Sequence, residues 1–192
     1  MNSDFLEIGA AVHLVLGGED HTDARPRLQR SIAHAKVHED DLAKLLTPMK
    51  AIRVWPSAPT RIRISVEGRR LPGSDQSMTY GILCRLNGDY AYVLTISDNY
   101  AAIEKWSRYK LLREAHPQVD PGSTNDLQAV CTDGGGGQAA NLELWVNGQK
   151  VVETTDTNNP LPTGGVGLVV TTYQTTCASV AKSDNFFVEQ IA

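Results

Sequence analysis

The clearest alternation of apolar and polar residues runs through NLELWV, residues 141–146. Successive side chains of a strand point to opposite faces, so this pattern predicts a β-strand with one buried and one exposed face. Asn147-Gly148 follows, before the apolar pair Val151-Val152. Asn and Gly both tolerate the positive φ angles of a type I′ turn, which matches the twist of paired strands. The segment therefore predicts a β-hairpin.

The two-residue period recurs along most of the chain. Ile62, Ile64 and Val66 alternate with polar residues, whereas residues 80–86 and 90–96 are apolar on both faces. A strand that is apolar on both faces is typical of the centre of a sheet. Further strands are expected at residues 52–54, 100–106, 127–132, 141–146, 150–154, 165–170 and 185–190. About ten short strands without intervening helices predict a β-sandwich or jelly roll.

Residues 1–50 differ in character from the rest. Leu28, Ile32 and Ala35 follow helical spacing, and three leucines after residue 41 continue it. The acidic residues 39–41 interrupt this pattern, and acidic residues favour the first turn of a helix. Two short helices, or one kinked helix, are therefore expected. The predicted organisation is a helical N-terminal segment over residues 1–50 and a β-sandwich over residues 51–192.

Composition narrows the classes of function. With 192 residues, 41% hydrophobic and 21% charged, the chain is long enough to form one sizeable soluble domain. A formal net charge of −4 without a basic run argues against nucleic-acid binding. The uncharged run over residues 8–18 follows Asp4 and Glu7 and is shorter than the ~20 residues needed to span a bilayer. Neither membrane insertion nor a signal peptide is expected.

Five motifs in a fixed order resemble a known superfamily. They are YGILCRLNGDYAYVLTISDN (80–99), LQAVCT (127–132), LELWVNGQKV (142–151), GGVGLVV (164–170) and SDNFFVEQ (183–190). Together they resemble the concanavalin A-like lectin/glucanase superfamily, close to laminin-G-like and bacterial jelly-roll modules of unknown function. The resemblance covers about residues 60–192. It implies an antiparallel β-sandwich of concanavalin A-like jelly-roll type.

The function implied by the resemblance is a non-catalytic binding module for carbohydrate or another surface ligand. The alternative is a structural or protein–protein interaction module of a larger bacterial envelope or signalling system, with residues 1–50 as its docking element. Modules of this kind are often attached to bacterial surface or signalling proteins, which favours an extracytoplasmic location.

The resemblance also implies roles for individual residues. Cysteines in the YGxxCR and LxAxC strands tend to occur together, so Cys84 and Cys131 are expected to form a disulfide if their Cα atoms lie within ~7 Å. Cys177 is then an unpaired thiol. Asp184 corresponds to an acidic residue of the last strand that often binds a structural calcium ion. Calcium needs several oxygen ligands, and a carboxylate bonded to backbone is the alternative. No other cofactor is expected.

Ligand contacts are expected from aromatic rings, which lie flat against sugar rings, and from polar side chains beside them. The candidate residues are Trp145, Tyr92, Tyr100 and Trp106, with Asn147, Asn141 and Asp98 as hydrogen-bonding groups. The alternative for each aromatic residue is the core of the sandwich. Trp145 is the strongest candidate because it alternates with apolar residues and should face away from the core. A surface for a protein partner would have the same composition.

Catalytic and metal-binding patterns are weaker. Glycoside hydrolysis needs two carboxylates, and the glucanases of the superfamily carry them at alternate positions of one strand, where this chain has Glu143 alone. An enzyme is therefore not expected. His34 and His38 have a spacing that can bind zinc, although a solvated helix face explains them as well. Residues 134–137, four glycines, precede a predicted strand rather than a helix, which indicates a hairpin loop and not a phosphate site.

Overall fold

The computed structural model describes residues 12–16, 49–55, 58–74, 76–106, 110–171 and 179–191. The strands in this part of the chain are β1 (Val12–Leu16), β2 (Met49–Trp55), β3 (Ile62–Arg70), β4 (Thr79–Asn87), β5 (Tyr90–Ser97), β6 (Tyr100–Trp106), β7 (Lys110–Ala115), β8 (Asn125–Gly134), β9 (Ala139–Val146), β10 (Gln149–Asp156), β11 (Gly165–Thr171) and β12 (Ser179–Gln190). No helix among these residues has the length and apolar character to cross a membrane.

The strands form two six-stranded antiparallel sheets. Sheet I has the order β1-β12-β3-β8-β9-β10, and sheet II has the order β2-β11-β4-β5-β6-β7. Strands adjacent in a sheet are often distant in sequence, as with β3 beside β12, so the chain crosses repeatedly between the two layers. This arrangement is an antiparallel β-sandwich of jelly-roll type, and it confirms the fold class predicted from the sequence.

The N-terminal part of the chain contributes to both sheets. Val12–Leu16 pairs with β12 at one edge of sheet I, although the sequence predicted a helical segment here. The expected boundary at residue 51 falls within β2, which pairs with β11. The helices predicted within residues 22–48 lie outside the described residues. Pairing with a neighbouring strand, and not local periodicity, therefore identifies β1.

The core lies between the two sheets and follows the predicted alternation. In β9 the residues Leu142, Leu144 and Val146 are buried, and the residues between them are half-buried on the outer face. The central strands β4 and β5 are buried on both faces because sheet II carries a second apolar cluster on the face turned away from sheet I. That cluster comprises Leu83, Ala91, Val93, Trp106 and Val169.

The predicted hairpin between β9 and β10 is confirmed. Asn147 and Gly148 have φ angles of 51° and 78°, the positive values that a type I′ turn requires. The four-glycine segment joins β8 to β9, as expected of a hairpin loop. Strand β7, by contrast, has no sequence signature, because KLLREA does not alternate and is mostly exposed. It is defined by its pairing with β6, and its charged residues suit the edge of a sheet.

A disulfide joins the two sheets. Cys84 in β4 and Cys131 in β8 are bonded, with a Cα–Cα distance of 6.7 Å, and both residues are buried. This is the pair implied by the resemblance. The bond closes a loop with a sequence separation of 47 residues, so it removes many conformations from the unfolded chain.

Replacing both cysteines, as Cys84→Ala with Cys131→Ala, is expected to lower the free energy of unfolding by about 2–4 kcal/mol, because the unfolded chain regains the entropy of the closed loop. Urea denaturation followed by far-ultraviolet circular dichroism measures this difference. A thiol reductant should shift the midpoint of the parent protein but not that of the double variant. Equal unfolding free energies for the two proteins would contradict a stabilising disulfide.

Candidate functional site

A cleft of about 560 Å³ opens at one end of the sandwich. It lies between the β4–β5 turn, the adjoining ends of β6 and β7, and the loop from β10 to β11. Its described lining residues are Arg85, Asn87, Tyr90, Lys105, Lys110, Asn158, Asn159, Leu161 and Pro162. The volume falls within the range of about 300–1,000 Å³ that is usual for ligand sites in proteins. We call this feature the end cleft.

A β-bulge places Arg85 in the wall of the end cleft. The β4–β5 register shifts between Cys84 and Asn87, and Arg85 has a φ angle of 54°. Bulges redirect side chains out of the regular alternation of a strand. The guanidinium group of Arg85 donates through Nη1 to the carbonyl of Leu161 at 2.7 Å, and its Nη2 pairs with the carboxylate of Asp133. Arg85 thus connects sheet II to the β10–β11 loop and to β8.

Lys105 holds the opposite wall through a buried ion pair. Its ammonium group donates to Asp156 Oδ2 at 2.7 Å and to the carbonyl oxygens of Asn158 and Asn159 at 2.9 and 2.6 Å. An ammonium group has three N–H donors, so all of them are used. Lys105 belongs to sheet II and Asp156 ends β10 in sheet I. The pair therefore fixes the start of the loop across the gap between the sheets.

Tyr92 completes this network from inside the core. Its hydroxyl donates to Asp156 Oδ2 at 2.7 Å and accepts from the N–H of Leu161 at 2.9 Å. Burial raises the pKa of Tyr92 well above its usual value, and the bond to Asp156 adds to the effect. From the sequence, Tyr92 is a candidate to pack against a ligand. The structure corrects this placement, because the side chain is 0% exposed and its ring cannot meet a ligand.

The carboxyl group of Asp156 is ionised in this setting. Burial raises its pKa, but hydrogen bonds from Lys105, from Tyr92 and from the N–H of Asn158 outweigh burial, and the pKa lies below its usual value. The ionised carboxylate compensates the charge of Lys105 where water is excluded. The loop that walls the end cleft is consequently held in one conformation by charge and hydrogen bonds together.

The accessible surface of the end cleft combines an aromatic ring with side-chain amides. Tyr90, the first residue of β5, is 51% exposed and is one of two exposed large hydrophobic residues among the described part of the chain. Asn87, Asn158 and Asn159 are exposed beside it. A side-chain amide both donates and accepts hydrogen bonds, as a sugar hydroxyl does. An aromatic ring flanked by amides therefore suits a saccharide.

Trp145 lies on a different surface. It projects from the outer face of sheet I, half-buried, as its alternation with buried residues predicted. Its indole N–H donates to Glu143 Oε2 at 2.8 Å, and Lys150 Nζ lies 5.7 Å from the ring centroid. Across the strand pairs its neighbours are Gln128 and Lys150. The ring is thus part of a polar sheet face, away from the end cleft.

Two other aromatic candidates are separate from both surfaces. Tyr100 begins β6 at the opposite end of the sandwich, where its hydroxyl donates to Glu114 at 3.3 Å and its ring lies 5.8 Å from His116. Trp106 is 5% exposed within the second apolar cluster, and its N–H donates to Glu104 at 3.1 Å. The structure therefore corrects the placement of Trp106, because its ring is packed against other side chains.

The side-chain amide of Asn147 makes its hydrogen bonds within the protein, at the turn that contains it. Its Oδ1 accepts from the N–H of Asp126 at 2.9 Å, and its Nδ2 donates to Asn125 Oδ1 at 3.0 Å. Both ends of the amide thus stabilise the hairpin by binding the neighbouring β8 strand. These bonds give Asn147 a structural role in addition to its positive φ angle.

The expected calcium ligand Asp184 lies in β12, where its Oδ1 accepts from the N–H of Asn185 at 3.0 Å. Such a bond to backbone is the alternative that the sequence left open. Within the described ranges, no group of three or more His, Cys, Asp or Glu residues is placed to hold a metal ion. Calcium binding remains an untested prediction, and His34 and His38 lie outside the described residues.

Three residues of the end cleft, Tyr90, Arg85 and Lys105, are not among the candidates predicted from the sequence. A signal for the last two was present, because each is a charged residue within a largely apolar strand, in YGILCRLN and YAAIEKW. Buried charges require partners, so such positions predict an ion pair or a site. Tyr90 carries no comparable signal. Its exposure results from its place at the start of β5, beside a loop that is distant in sequence.

No protein-family model matches the chain, and no curated protein is similar to it. Solved structures do share the fold. The carbohydrate binding module CBM66 from Bacillus subtilis superposes with a TM-score of 0.59 at 12% identity, over 74% of this chain and 83% of that module. A Bacillus subtilis protein of unknown function with a galectin-like fold gives a TM-score of 0.54 at 12% identity, over 75% of each chain.

The fold also occurs within a larger protein. The GH43 protein BlXynB from Bacillus licheniformis gives a TM-score of 0.58 at 16% identity, over 94% of this chain but only 33% of that protein. Identities of this size establish the fold alone. The chain has the concanavalin A-like β-sandwich fold that its motifs predicted, and its structural neighbours include carbohydrate-binding and galectin-like modules.

Lys105→Met is expected to lower the free energy of unfolding by about 3–5 kcal/mol, because it leaves the buried carboxylate of Asp156 without a counter-charge. Adding Asp156→Asn should recover part of the loss, since the uncompensated charge is then removed. Chemical denaturation of both variants measures these values. Lys182→Met is the control, because Lys182 is partly exposed in β12 and should change stability by less than about 0.5 kcal/mol. Similar losses for Lys105→Met and Lys182→Met would contradict the interpretation.

The lowered pKa of Asp156 also predicts an acid limit. A carboxyl group with a depressed pKa in the folded state stabilises the fold above its unfolded pKa of about 3.9, and this stabilisation is lost as the pH falls through the folded value. The stability difference between the parent protein and Asp156→Asn should therefore be full at about pH 6 and should shrink below about pH 4. Urea denaturation at both pH values measures it. A difference that does not change with pH would show that the charge on Asp156 is not responsible.

Proposed function

We propose that the chain is a non-catalytic carbohydrate-binding module that holds a saccharide in the end cleft. The observation that carries the proposal is the exposed ring of Tyr90 beside three asparagine amides in one cleft. The apolar face of a sugar ring packs on an aromatic ring, and its hydroxyls bond to amides. The walls are anchored by Lys105 and Arg85, so little ordering is needed when a ligand binds.

The fold supports the same class of function. One structural neighbour is itself a carbohydrate binding module, and this chain corresponds to most of that module's length. In the GH43 protein, by contrast, the matched region is about a third of the whole, so the activity of that protein offers no direct guide to this chain. Because one fold serves many functions, the proposal depends on the end cleft and uses the fold only as background.

The chemistry of the end cleft favours binding over hydrolysis. None of its described lining residues is an aspartate or a glutamate. Glycoside hydrolysis uses two carboxylates on either side of the bond that is cleaved. The carboxylates behind the walls, Asp133 and Asp156, are paired with Arg85 and Lys105. Their interactions are those of structural groups.

The outer face of sheet I offers a second surface for the same function. Trp145 is half-buried there, with Gln128 opposite it in β8 and Glu143 two positions along β9. A saccharide lying across the sheet would meet the indole ring and these polar groups. The same face would also suit a protein partner, which is the alternative class of function. The end cleft is preferred because it is concave and its aromatic ring is more exposed.

We also propose an extracytoplasmic location. The buried disulfide between Cys84 and Cys131 supports it, because such bonds form and persist in oxidising compartments. A module that binds carbohydrate outside the cell would agree with this chemistry. The location would be tested by fractionating cells that express the natural gene and probing each fraction for the protein.

Tyr90→Ala is expected to weaken saccharide binding about ten-fold or more, because the stacking surface of the end cleft is lost. Trp145→Ala is the matched control and should leave affinity unchanged. A glycan array identifies the ligand, and titration calorimetry compares the three proteins. Circular dichroism and urea midpoints establish that both variants are folded.

The opposite effects of the two substitutions would show that the saccharide does not bind in the end cleft. If Trp145→Ala abolished binding and Tyr90→Ala did not, the ligand would lie on the outer face of sheet I. If the parent protein bound no glycan on an array of neutral and acidic saccharides, the proposed function itself would be wrong. A structural or protein–protein interaction module would then be the better-supported class of function.

A further inference from the structure

Two lysines of like charge face each other in the end cleft. Lys105 in β6 and Lys110 in β7 are direct cross-strand partners, and both line the end cleft. Cross-strand partners project to the same face, and like charges in this position destabilise a sheet. The arrangement is notable in a chain whose formal net charge is −4. A residue pair that destabilises the sheet is expected where its charges have a role other than stability.

The two lysines differ in how their charges are compensated. Lys105 is buried, and its three N–H donors are taken by Asp156 and two carbonyl oxygens. Lys110 is exposed at the first position of β7 and makes no hydrogen bond or ion pair with any residue in the described ranges. Among the described lining residues, its ammonium group is therefore the positive charge without a paired carboxylate.

Arg85 adds further donors. Its guanidinium group has five N–H bonds, of which those to Leu161 and Asp133 use two. In the part of the chain that the structure describes, three N–H bonds are left without an acceptor, although the side chain is only 5% exposed. Buried donors without acceptors are costly, so an acceptor is expected from outside the protein.

Among the described residues that line the cleft, basic side chains outnumber the carboxylates paired with them. Asp133 offsets Arg85 and Asp156 offsets Lys105, which leaves Lys110 in excess. Lysine and arginine side chains only donate hydrogen bonds. A neutral hydroxyl would satisfy the asparagine amides but would leave this charge unbalanced. A carboxylate or sulfate group accepts several charge-assisted bonds and carries the opposite charge.

We infer that the end cleft selects saccharides that carry an anionic substituent, a carboxylate or a sulfate, which binds to Lys110 and Arg85 while the sugar ring packs on Tyr90. The inference rests on the proposed function, since it names the class of saccharide that the same site takes. An anion bound there would also compensate the charge of Lys110.

The test uses matched saccharides. Oligogalacturonates are compared with their methyl esters, and sulfated galactose oligosaccharides with their desulfated forms, first on an array and then by calorimetry. At least one anionic form should bind about ten-fold more tightly than its neutral counterpart, and the preference should fall as salt is raised from about 20 mM to 500 mM. The pair with the larger preference distinguishes a carboxylate ligand from a sulfate ligand.

Lys110→Gln should reduce the ratio of anionic to neutral affinity about three- to ten-fold, and Lys110→Glu should reduce it further. Because Lys110 is exposed at a sheet edge, both variants are expected to fold. Lys182→Gln is the matched control. Lys182 lies opposite Arg69 in the β12–β3 pairing, near the Arg70–Asp98 ion pair at the other end of the sandwich. The Lys182→Gln substitution should therefore leave the ratio of anionic to neutral affinity unchanged.

Three outcomes would overturn the inference. Equal affinity for the anionic and neutral forms, with binding still lost in Tyr90→Ala, would leave carbohydrate binding in place and remove the preference for charge. An equal effect of Lys182→Gln and Lys110→Gln would indicate diffuse attraction to a polyanion. Failure of the parent protein to bind any saccharide, neutral or anionic, would overturn the proposed function and this inference together.

Discussion

The ion pair between Lys105 and Asp156 is the interaction on which the shape of the end cleft depends. It joins β6 of sheet II to the end of β10, the edge strand of sheet I, and the same lysine binds two carbonyl oxygens of the loop that follows β10. The carboxylate also accepts a hydrogen bond from Tyr92, so the start of the loop is connected to the buried core. Removing one partner of a buried ion pair leaves an uncompensated charge in the interior, which is strongly destabilising. The ion pair therefore holds the walls of the end cleft in place.

Two further links lie at the same end. The Cys84–Cys131 disulfide and the Arg85–Asp133 ion pair both connect β4 in sheet II to β8 in sheet I. The hydrophobic core alone would hold the sheets together without specifying how their ends meet, because burial of apolar surface is not directional. Covalent and ionic links are directional, so they position the loops that form the walls of the end cleft. Rigid sheets that position loops are a common basis for recognition.

Much of the fold was predictable from residues that are close in sequence. The alternation in residues 141–146 predicted which side of β9 is buried, and hence that Trp145 faces outward. Asn147-Gly148 predicted the turn that follows. The edge strands β1 and β7 were not predictable, because pairing with β12 and β6 defines them and their own residues carry no clear period.

The sequence by itself thus determined the two-layer β architecture, since backbone geometry makes side chains alternate whatever the strand's neighbours are. The tertiary structure alone decided which aromatic rings are accessible. Tyr92 and Tyr90 lie two positions apart in one strand, yet the first is buried and the second is 51% exposed. Their difference comes from the β10–β11 loop, some 70 residues away, which bonds to Tyr92 and leaves Tyr90 at the mouth of the cleft. Contacts over such separations have no local signature, which is why the site emerged only from the folded chain.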